Sequence, residues 1–515
     1  MQKWFSNQIQ DSSEPSPGAP TLLSSALDRN VEVFRQIFDA SDDVQFRSFL
    51  VGGEVKAELV YIPGMSDRRE IDDSVLNPLM RSGDVDVRDM QSIKNKVLSI
   101  VAVEEVDTIE ESAKQVIRGF PLLLIDECDR ALLLKIAKWD KRPVEEPKTE
   151  AALRGPREGF TESIETNLSL LRRRIQTVDL KLKSMRLGRH TQTETYIAYM
   201  EGLAEPAMIN EVCTRIGRIE LDSVLETGYI EELTEDSPYS PFPQQQFTER
   251  VDIAAASLLE GRIVILVDGT PNVLIVPTTL VTLLQAADDY YNRAFYSSTL
   301  RFLRYCTLFI SLTLPGVYVA LLTFHQEMVP GKLLLSIVSS REAIPFPTIV
   351  EVLMMQLTFE VLREAGLRLP RQIGSAITIV GALVVGEAAV SAGLVSAPIV
   401  IIIAFTGIAG FTTPHYSVEF SIRLLRLLLI VMGGTLGILG VMFGIIGIAI
   451  HLCTLRSFGV PYLSPFAPFV ASDIKDTAIR VPWWKMIMRP SFSSSRNRKR
   501  LARYQRPEPG KGGEQ

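Results

Sequence analysis

Three glutamates lie inside long apolar stretches, where burying an ionised carboxylate costs free energy unless it has a polar partner. Glu351, Glu360 and Glu387 fall between residues 305 and 455, a region with 14 charged residues in 151 and no aspartate. Charge is costly inside a bilayer, so each carboxylate should face protein or water. Each glutamate is therefore either a partner in helix packing or a group on a cation path.

Glu387 has the strongest claim to a function among the three, because small residues flank it. Glu351 follows Pro345 and Pro347, and proline is tolerated in the first turn of a helix. A carboxylate one turn inside that helix either complements the helix dipole or forms a cation-attracting mouth. We favour the mouth.

A break between two apolar runs, from Ala392 to Pro398, contains Val395 and Ser396. Such a break is expected of a loop or a discontinuous helix that lines an ion path. A plain turn outside the hydrocarbon explains the same residues equally well. The candidate ion-path residues are therefore Glu351, Glu387, Val395 and Ser396.

No constellation of catalytic or metal-binding residues stands out. The four histidines are isolated, and there is no phosphate loop, nucleophile elbow or dinucleotide-binding glycine pattern. The four cysteines lie far apart without a CxxC pair, which argues against a zinc site or a disulfide framework. The net charge of −6 argues against a dedicated nucleic-acid binder. We expect no enzyme activity, no metal, no cofactor and no nucleic-acid partner.

The elements that hold these glutamates belong to one of two very different halves. Charged residues make up about 9% of residues 305–455 and about 27% of the remainder. Since about 20 apolar residues cross a bilayer, the apolar half should be membrane-embedded. The predicted spans are Tyr305–Phe324, Pro347–Leu362, Ile377–Val395, Ile399–Thr412 and Leu424–Leu455. The last block gives six spans if it is a hairpin and five if it is one long helix, and the basic C-terminal tail favours six.

Glycines recur at fourfold spacing in the last apolar block. This spacing lets helices approach closely in a membrane. The glycines predicted to pack helices are Gly433, Gly437, Gly440 and Gly444.

The soluble half contains an internal repeat. Residues 59–62 align with 197–200 at an offset of 138, and residues 113–134 align with 255–276 at an offset of 142. The second part of each copy holds two apolar runs of strand length separated by a turn, which predicts a β-hairpin. We predict an α/β cytoplasmic domain of two related subdomains, followed by an all-α multi-pass membrane domain.

The predicted organisation places a helix between the two subdomains. This connecting helix runs from Thr161, its N-cap, to Leu187, and puts Arg172, Arg173 and Arg174 on a solvated face, or else against lipid headgroups or a neighbouring subunit. The polar N-terminus has no secretory signal, which favours a cytoplasmic soluble half. The predicted segments are a flexible tail (1–40), subdomain 1 (41–145), the linker and connecting helix (146–189), subdomain 2 (190–300), the transmembrane domain (301–470) and a basic cytoplasmic tail (471–515).

Seven strings are the most distinctive in the chain: Arg154–Glu162, Asn167–Arg174, Thr248–Arg250, Val267–Pro271, Asp289–Tyr291, Arg341–Pro347 and Arg363–Pro370. In this order they closely resemble the GerA family, the A subunits of the spore germination receptors of endospore-forming bacteria, over residues 40–470. The residues of this sequence that match the motifs of that family are Gly155, Pro156, Arg157, Glu158, Phe160, Pro345 and Pro347. Val251 departs from the family pattern, which favours proline there. The motifs do not separate a receptor A subunit from the stage V sporulation membrane protein of the same architecture.

The resemblance implies a multi-pass protein of the spore inner membrane that works with a permease-like B subunit and a lipoprotein C subunit. It also implies a homo-oligomeric ring in the lipid bilayer that conducts cations when nutrient binds. We rank a gated channel subunit first and a secondary transporter second, since a transporter should show its repeat in the membrane half. A non-conducting scaffold or signalling subunit ranks third, and it predicts that Glu351 and Glu387 tolerate substitution.

Overall fold

The computed structural model describes residues 21–81, 90–100, 102–137, 147, 150, 154–368, 384–493, 497–502 and 505–507. Two units built on β-sheets come first, and a helical region follows. The C-terminal tail then returns to the second sheet unit.

The first unit is a five-stranded sheet with helices on both faces. All its strand pairings are antiparallel, in the order β1-β2-β4-β5-β3. The strands are β1 (Gln45–Val51), β2 (Val55–Tyr61), β3 (Val103–Val106), β4 (Leu122–Ile125) and β5 (Ala131–Leu134). The helices are α1 (Leu27–Ile37), α2 (Arg68–Ile71), α3 (Asn77–Arg81), α4 (Met90–Ser92) and α5 (Ile109–Ile117), with π-helical turns at Asp72–Leu76 and Ile93–Val97.

Alternate residues of the central strands face two different cores, which explains their unbroken apolar sequence. Leu122 and Leu124 pack with α1 and α5. Leu123 and Ile125 pack with α2 and α3 on the opposite face. The sheet is therefore the middle of three layers.

The second unit repeats this arrangement. Its strand order is β6-β7-β9-β10-β8, again antiparallel throughout. The strands are β6 (Leu180–Leu187), β7 (Thr193–Met200), β8 (Gln246–Thr248), β9 (Ile263–Val267) and β10 (Val273–Val276). The helices are α6 (Ile164–Arg174) and α9 (Val251–Leu259) on one face, and α7 (Pro206–Gly217) and α8 (Thr227–Thr234) on the other. The two predicted hairpins, β4–β5 and β9–β10, are confirmed by their pairing.

Helix capping is also repeated between the units. Asp126, in the β4–β5 turn, accepts the backbone N–H of Leu27 at 3.1 Å, and Asp268, in the β9–β10 turn, accepts that of Ile164 at 3.1 Å. Each aspartate satisfies a free donor at the start of a helix. The same long-range contact in both units shows that they share details of side-chain chemistry as well as strand order.

Two predicted features of the soluble half are wrong. The connecting helix ends at Arg174, and residues 180–187 form β6 instead, so both elements belong to the core of the second unit rather than to a linker. Its N-cap is Ser163 rather than Thr161. The tail assigned to residues 1–40 contains α1, whose Phe34 is fully buried against the first sheet.

Arg172 is not on a solvated helix face. Its side chain is 0% exposed and forms two hydrogen bonds of 2.8 Å to the Asp43 carboxylate. Arg173 and Arg174 instead pair with Glu158 in a partly exposed position. One arginine of the triplet therefore joins the two units, because an ion pair this buried requires both partners.

The helical region follows two short helices of the second unit, α10 (Leu280–Leu283) and α11 (Asp288–Tyr291). Its helices are α12 (Ala294–Phe324), α13 (Gly331–Arg341), α14 (Thr348–Arg368), α15 (384–391), α16 (Ala397–Gly410) and α17 (Tyr416–Thr454). Among the described residues, α12 and α17 are long and apolar enough to cross a membrane, judged by length and composition. The predicted span Ile377–Val395 lies partly outside the described residues.

The chain reverses direction inside α17. Gly437 has φ 66° and ψ −148°, which is not helical. A Cβ on Gly433 would lie 3.1 Å from Val441, and both Ser421 and His451 contact the loop at residues 240–241. A straight helix of 39 residues would hold its ends about 58 Å apart, so α17 is a helical hairpin. Of the two alternatives for this block, the structure therefore has the hairpin.

The tail after α17 folds onto the second unit. It forms a two-stranded ribbon, β11 (Arg456–Ser457) and β12 (Val460–Pro461), and then irregular turns. Ser493 Oγ donates to Glu260 O, and Arg489 Nε donates to Leu259 O. The tail is thus fixed at the base of α9.

Candidate functional site

A buried aspartate connects the second sheet unit to the first long helix. Asp289 lies in α11 and binds Arg301 at 2.8 Å and Arg304 at 3.0 Å, both from the first turns of α12. Burial opposes ionisation of Asp289, but hydrogen bonds and charge from Arg304 and Arg301 outweigh it and hold the pKa of this carboxyl below its ordinary value. We call Asp289, Tyr290, Arg301, Arg304 and Asp476 the junction.

The C-terminal tail joins the junction through Asp476. Its Oδ1 lies 2.7 Å from Arg301 Nη1, and its Oδ2 accepts the Tyr290 hydroxyl at 2.8 Å. Arg301 is 1% exposed, so this cation needs both acidic partners. The tail, 175 positions after Arg301, therefore meets the consecutive helices α11 and α12 on one guanidinium.

Several of the distinctive strings converge beside the junction. Arg250 pairs with Asp252 at 2.8 Å and donates to Pro156 O at 3.0 Å. Tyr291 donates to Asp252 as well. A Cβ on Gly155 would lie 2.5 Å from the Tyr291 ring, so only glycine fits there. The motif around residue 155 is thus a structural clamp against Tyr291.

The rest of that motif is also placed by packing and pairing. Phe160 is buried in the core of the second unit, and Glu158 pairs with Arg174 at 2.6 Å. Val251 is the first residue of α9, a position where proline is favoured, which gives a physical reason for the family pattern and explains why valine is tolerated.

A second polar contact joins the sheet unit to the start of α17. Burial raises the pKa of the Glu150 carboxyl to about 7. Burial, together with Arg262 and Arg304, lowers the pKa of His415 to about 4. The imidazole is therefore neutral at pH 7, and the 3.6 Å contact between His415 Nδ1 and Glu150 Oε1 is not an ion pair. Gln246 Nε2 lies 3.2 Å from the other ring nitrogen.

The predicted ion-path residues separate into two places. Glu351 is 0% exposed, binds Arg341 at 2.7 Å and accepts the backbone N–H of Ser396 at 3.2 Å. Ser396 is the N-cap of α16, and its neighbour Val395 is buried. A helix N-terminus and an arginine thus share one carboxylate. We call Arg341, Glu351 and Ser396 the far cluster, because it lies at the end of the helices remote from the sheets.

Glu387 does not join the far cluster. It lies on α15, is exposed, and has no hydrogen-bond or ion-pair partner within the described parts of the chain. Pro347 immediately precedes α14, where its carbonyl accepts the N–H of Glu351 at 3.2 Å, and Pro345 lies two residues earlier in the segment that leads into the helix. The role of Glu351 and Glu387 on an ion path stays a prediction.

A larger ionic group lies at the opposite end of the helices. Arg363 binds Glu419 at 2.8 Å, and Arg423 binds Glu360. Arg426 is 1% exposed, donates to Ser311 Oγ and has no carboxylate within ion-pair distance among the described residues. We call Glu360, Arg363, Glu419, Arg423 and Arg426 the near cluster. Sequence reasoning found only Glu360; the signal for the others was three arginines and a glutamate placed within otherwise apolar helices.

The predicted packing glycines all lie at close contacts or at the reversal. A Cβ on Gly433 would lie 2.4 Å from Gly316 O of α12, and one on Gly440 would lie 2.2 Å from Met432 O across the hairpin. A Cβ on Gly444 would lie 2.3 Å from Leu429, and Gly437 makes the turn. Small residues allow this approach of backbones.

The described residues contain no group of three histidine, cysteine, aspartate or glutamate side chains that could hold a metal ion.

Comparison with known proteins gives consistent matches over most of the chain. A family model described as Bacillus/Clostridium GerA spore germination protein matches residues 32–492. The chain is 44% identical over 485 residues to the protein named Uncharacterized membrane protein YfkQ of Bacillus subtilis (strain 168), covering 94% of each chain. It is 43% identical over 493 residues to Spore germination protein KA of the same organism, covering 95% of this chain and 91% of that protein.

A solved structure also matches the sheet-bearing part. It is the crystal structure of the N-terminal domain of the A subunit of the Bacillus megaterium spore germinant receptor GerK3, with 33% identity and a TM-score of 0.38. The match covers 50% of this chain and 96% of that one.

Proposed function

Because the chain belongs to the GerA family of spore germination proteins, we propose that it is the A subunit of a spore germinant receptor and forms a nutrient-gated cation channel as a homo-oligomer. In this proposal the sheet units, up to about residue 300, are cytoplasmic. The helical region crosses the spore inner membrane six times, with the hairpin α17 supplying the last two spans. A permease-like B subunit and a lipoprotein C subunit complete the receptor.

One observation carries the conducting role: the exposed carboxylate of Glu387 in an otherwise apolar region. An ionised group on a membrane helix needs water or a polar partner. Within the described chain Glu387 has neither a cation nor a donor, so neighbouring copies of the chain and the water between them are the surroundings that suit it. A ring of such carboxylates is a standard way to attract cations.

The junction supports coupling between the sheets and the helices. Asp289 holds two arginines of α12, and Asp476 holds one of them from the other side. A shift of the second sheet unit therefore pulls directly on the first long helix. This gives a nutrient-induced change in the soluble half a rigid route into the membrane half.

The test is cation flux from proteoliposomes that hold the purified full chain with and without its B and C partners. Flux should appear with the partners and nutrient, fall at least tenfold in Glu387→Ala, and stay unchanged in Glu364→Ala. Glu364 is a suitable control because it is exposed and pairs with Arg368 one helical turn away. A folded oligomer that gives no flux in any combination would instead make the chain a non-conducting scaffold.

A further inference from the structure

A cavity of about 310 Å³ lies between α10 and the C-terminal tail. One wall is made by Thr279, Thr282 and Gln285, and residues of the tail between Ser472 and Phe492, together with Lys499 and Arg500, make the opposite wall. Its volume falls at the lower end of the range for small-ligand sites, about 300–1,000 Å³. None of the roles described above uses this cavity.

The acidic groups of the cavity are already occupied. Asp476 binds Arg301 and Tyr290, and Asp473 accepts both the N–H and the hydroxyl of Ser491 at 2.7 and 2.6 Å. Glu260 lies 3.2 Å from Arg500. A cation entering the cavity would therefore compete with existing partners.

The lysines of the cavity are not occupied. Lys475, Lys485 and Lys499 all line it, all are exposed, and none has a carboxylate partner within the described part of the chain. Lys485 Nζ lies 4.9 Å from the centre of the Trp484 ring. A cation–π contact leaves the charge in place. The cavity therefore has an excess of positive charge and selects anions.

The cavity lies at the level where the proposed membrane helix begins. Asp476, on its wall, binds Arg301, and Tyr305 begins the predicted span four residues later, about 6 Å along the helix. Phe295 and Phe302 of α12 are 87% and 63% exposed, and Trp483 of the tail is 44% exposed. Exposed aromatic rings beside basic groups are typical of the membrane–water interface.

We propose that this cavity binds a phosphate-bearing anion through Lys475, Lys485 and Lys499, and that its usual source is the headgroup of an anionic phospholipid. This inference rests on the proposed membrane placement of α12. A bound headgroup would tie the tail, and through Asp476 the junction, to the lipid surface. Lipid composition would then influence the same guanidinium that links the sheets to the first helix.

The test measures binding to the full chain purified in a neutral detergent. The probes are detergent-solubilised phosphatidylglycerol, phosphatidylcholine as the zwitterionic comparison, and inorganic phosphate as the soluble arm. The variant is Lys475→Ala/Lys485→Ala/Lys499→Ala. The matched control is Lys56→Ala/Lys114→Ala/Lys183→Ala, which removes the same charge from exposed positions on the sheet units.

We expect phosphatidylglycerol to bind much more tightly than phosphatidylcholine, and the cavity variant to lose on the order of 100-fold in affinity while the control keeps it. If inorganic phosphate binds in a lysine-dependent way and phosphatidylglycerol does not, the site is supported and its ligand is a free phosphate-bearing anion. Equal losses in both triple variants, or no lysine-dependent binding of either phosphate probe, would overturn it. Cation flux is measured separately, so the two proposals can fail independently. Lysine-dependent binding without flux would reject the channel proposal and support the anion site. Flux without lysine-dependent binding would support the channel proposal and reject the anion site.

Discussion

The far and near clusters differ in whether their buried charges are balanced. In the far cluster one glutamate meets one arginine and a helix N-terminus, so every charge is matched. In the near cluster three arginines share two glutamates, and Arg426 has only a hydroxyl. A balanced pair stabilises helix packing, whereas an unmatched buried cation costs free energy unless it serves another purpose.

Position explains part of this difference. The far cluster ties α13, α14 and α16 together where the chain is remote from the sheets. The near cluster includes the start of α17, where Ser421 contacts Pro241 of the second sheet unit, so motion of the sheet units would arrive there first. We therefore infer that the helices keep their packing at the far end, whereas their packing at the near end changes when the sheet units move. Four predictions test this difference between the two clusters.

The largest effect should come from removing the central carboxylate of the near cluster. Glu419→Gln leaves Arg363, 8% exposed, without its close ion-pair partner and with only a 4.0 Å contact to Glu360, which Arg423 already binds. Stranding a buried charge costs about 3–5 kcal/mol. Thermal unfolding of the purified full chain in detergent should show this loss.

Glu364→Gln is the matched control for this change. It removes an exposed i,i+4 pair with Arg368 and should alter the free energy of unfolding by less than about 0.5 kcal/mol. If the two variants unfolded at the same temperature, the near cluster would not be an electrostatically coupled group.

The second effect concerns pH at the near end. Burial raises the pKa of Glu150 to about 7, so between pH 4.5 and 7 the folded chain keeps a proton that the unfolded chain has lost. The Glu150 contribution to stability should therefore fall by about 3 kcal/mol as pH rises through this window, and it opposes the rise that the lowered pKa of His415 produces below that group's ordinary value. The measurement is the free energy of unfolding at pH 5, 6, 7 and 8.

Glu150→Gln should remove this falling contribution, because the amide does not titrate, so the difference between the pH profiles of the parent chain and the variant isolates it. Glu158→Gln, at a partly exposed position, is a poor control because it breaks two ion pairs, so Glu364→Gln serves again. An unchanged slope in Glu150→Gln would assign the pH dependence to other groups.

The far cluster should be less sensitive than the near one. Glu351→Gln keeps an acceptor for the Ser396 N–H, and the released Arg341 is 22% exposed and can reach water. The expected cost is about 1–2 kcal/mol in thermal unfolding. Glu342→Gln, at an exposed position beside Arg341, is the control. A loss as large as that of Glu419→Gln would remove the distinction between the two clusters.

Local patterns in the sequence predicted the local parts of this fold. The hairpins were predictable because β4 and β9 are short apolar runs that end in turn residues. The end of α6 was missed because Val178 and Leu182 continue helical spacing by coincidence, while the chain has already turned into β6. Leu180 and Leu182 are buried in the same core because alternate residues of a strand share a face.

Contacts between distant residues could not be predicted in this way. Arg172 and Asp43 are 129 positions apart, and Arg363 and Glu419 are 56 apart. No periodicity of a single helix encodes which arginine meets which carboxylate. The sequence indicated that buried charges must be paired, and only the packing of the helices decides the partners.

The smallest expected effect tests most directly whether the unmatched charge of Arg426 serves the response to nutrient. Arg426→Met replaces a buried, unmatched cation with an apolar side chain, so stability should rise by about 1 kcal/mol. Arg423→Met is the opposing control, since it removes the cation that Glu360 binds and should lower stability. If spores carrying Arg426→Met hold a more stable protein yet germinate more slowly on nutrient, the unmatched charge is kept for the response rather than for the fold. If they germinate normally, the excess of charge at the near end has no part in signalling, and the near and far clusters differ only in how they pack.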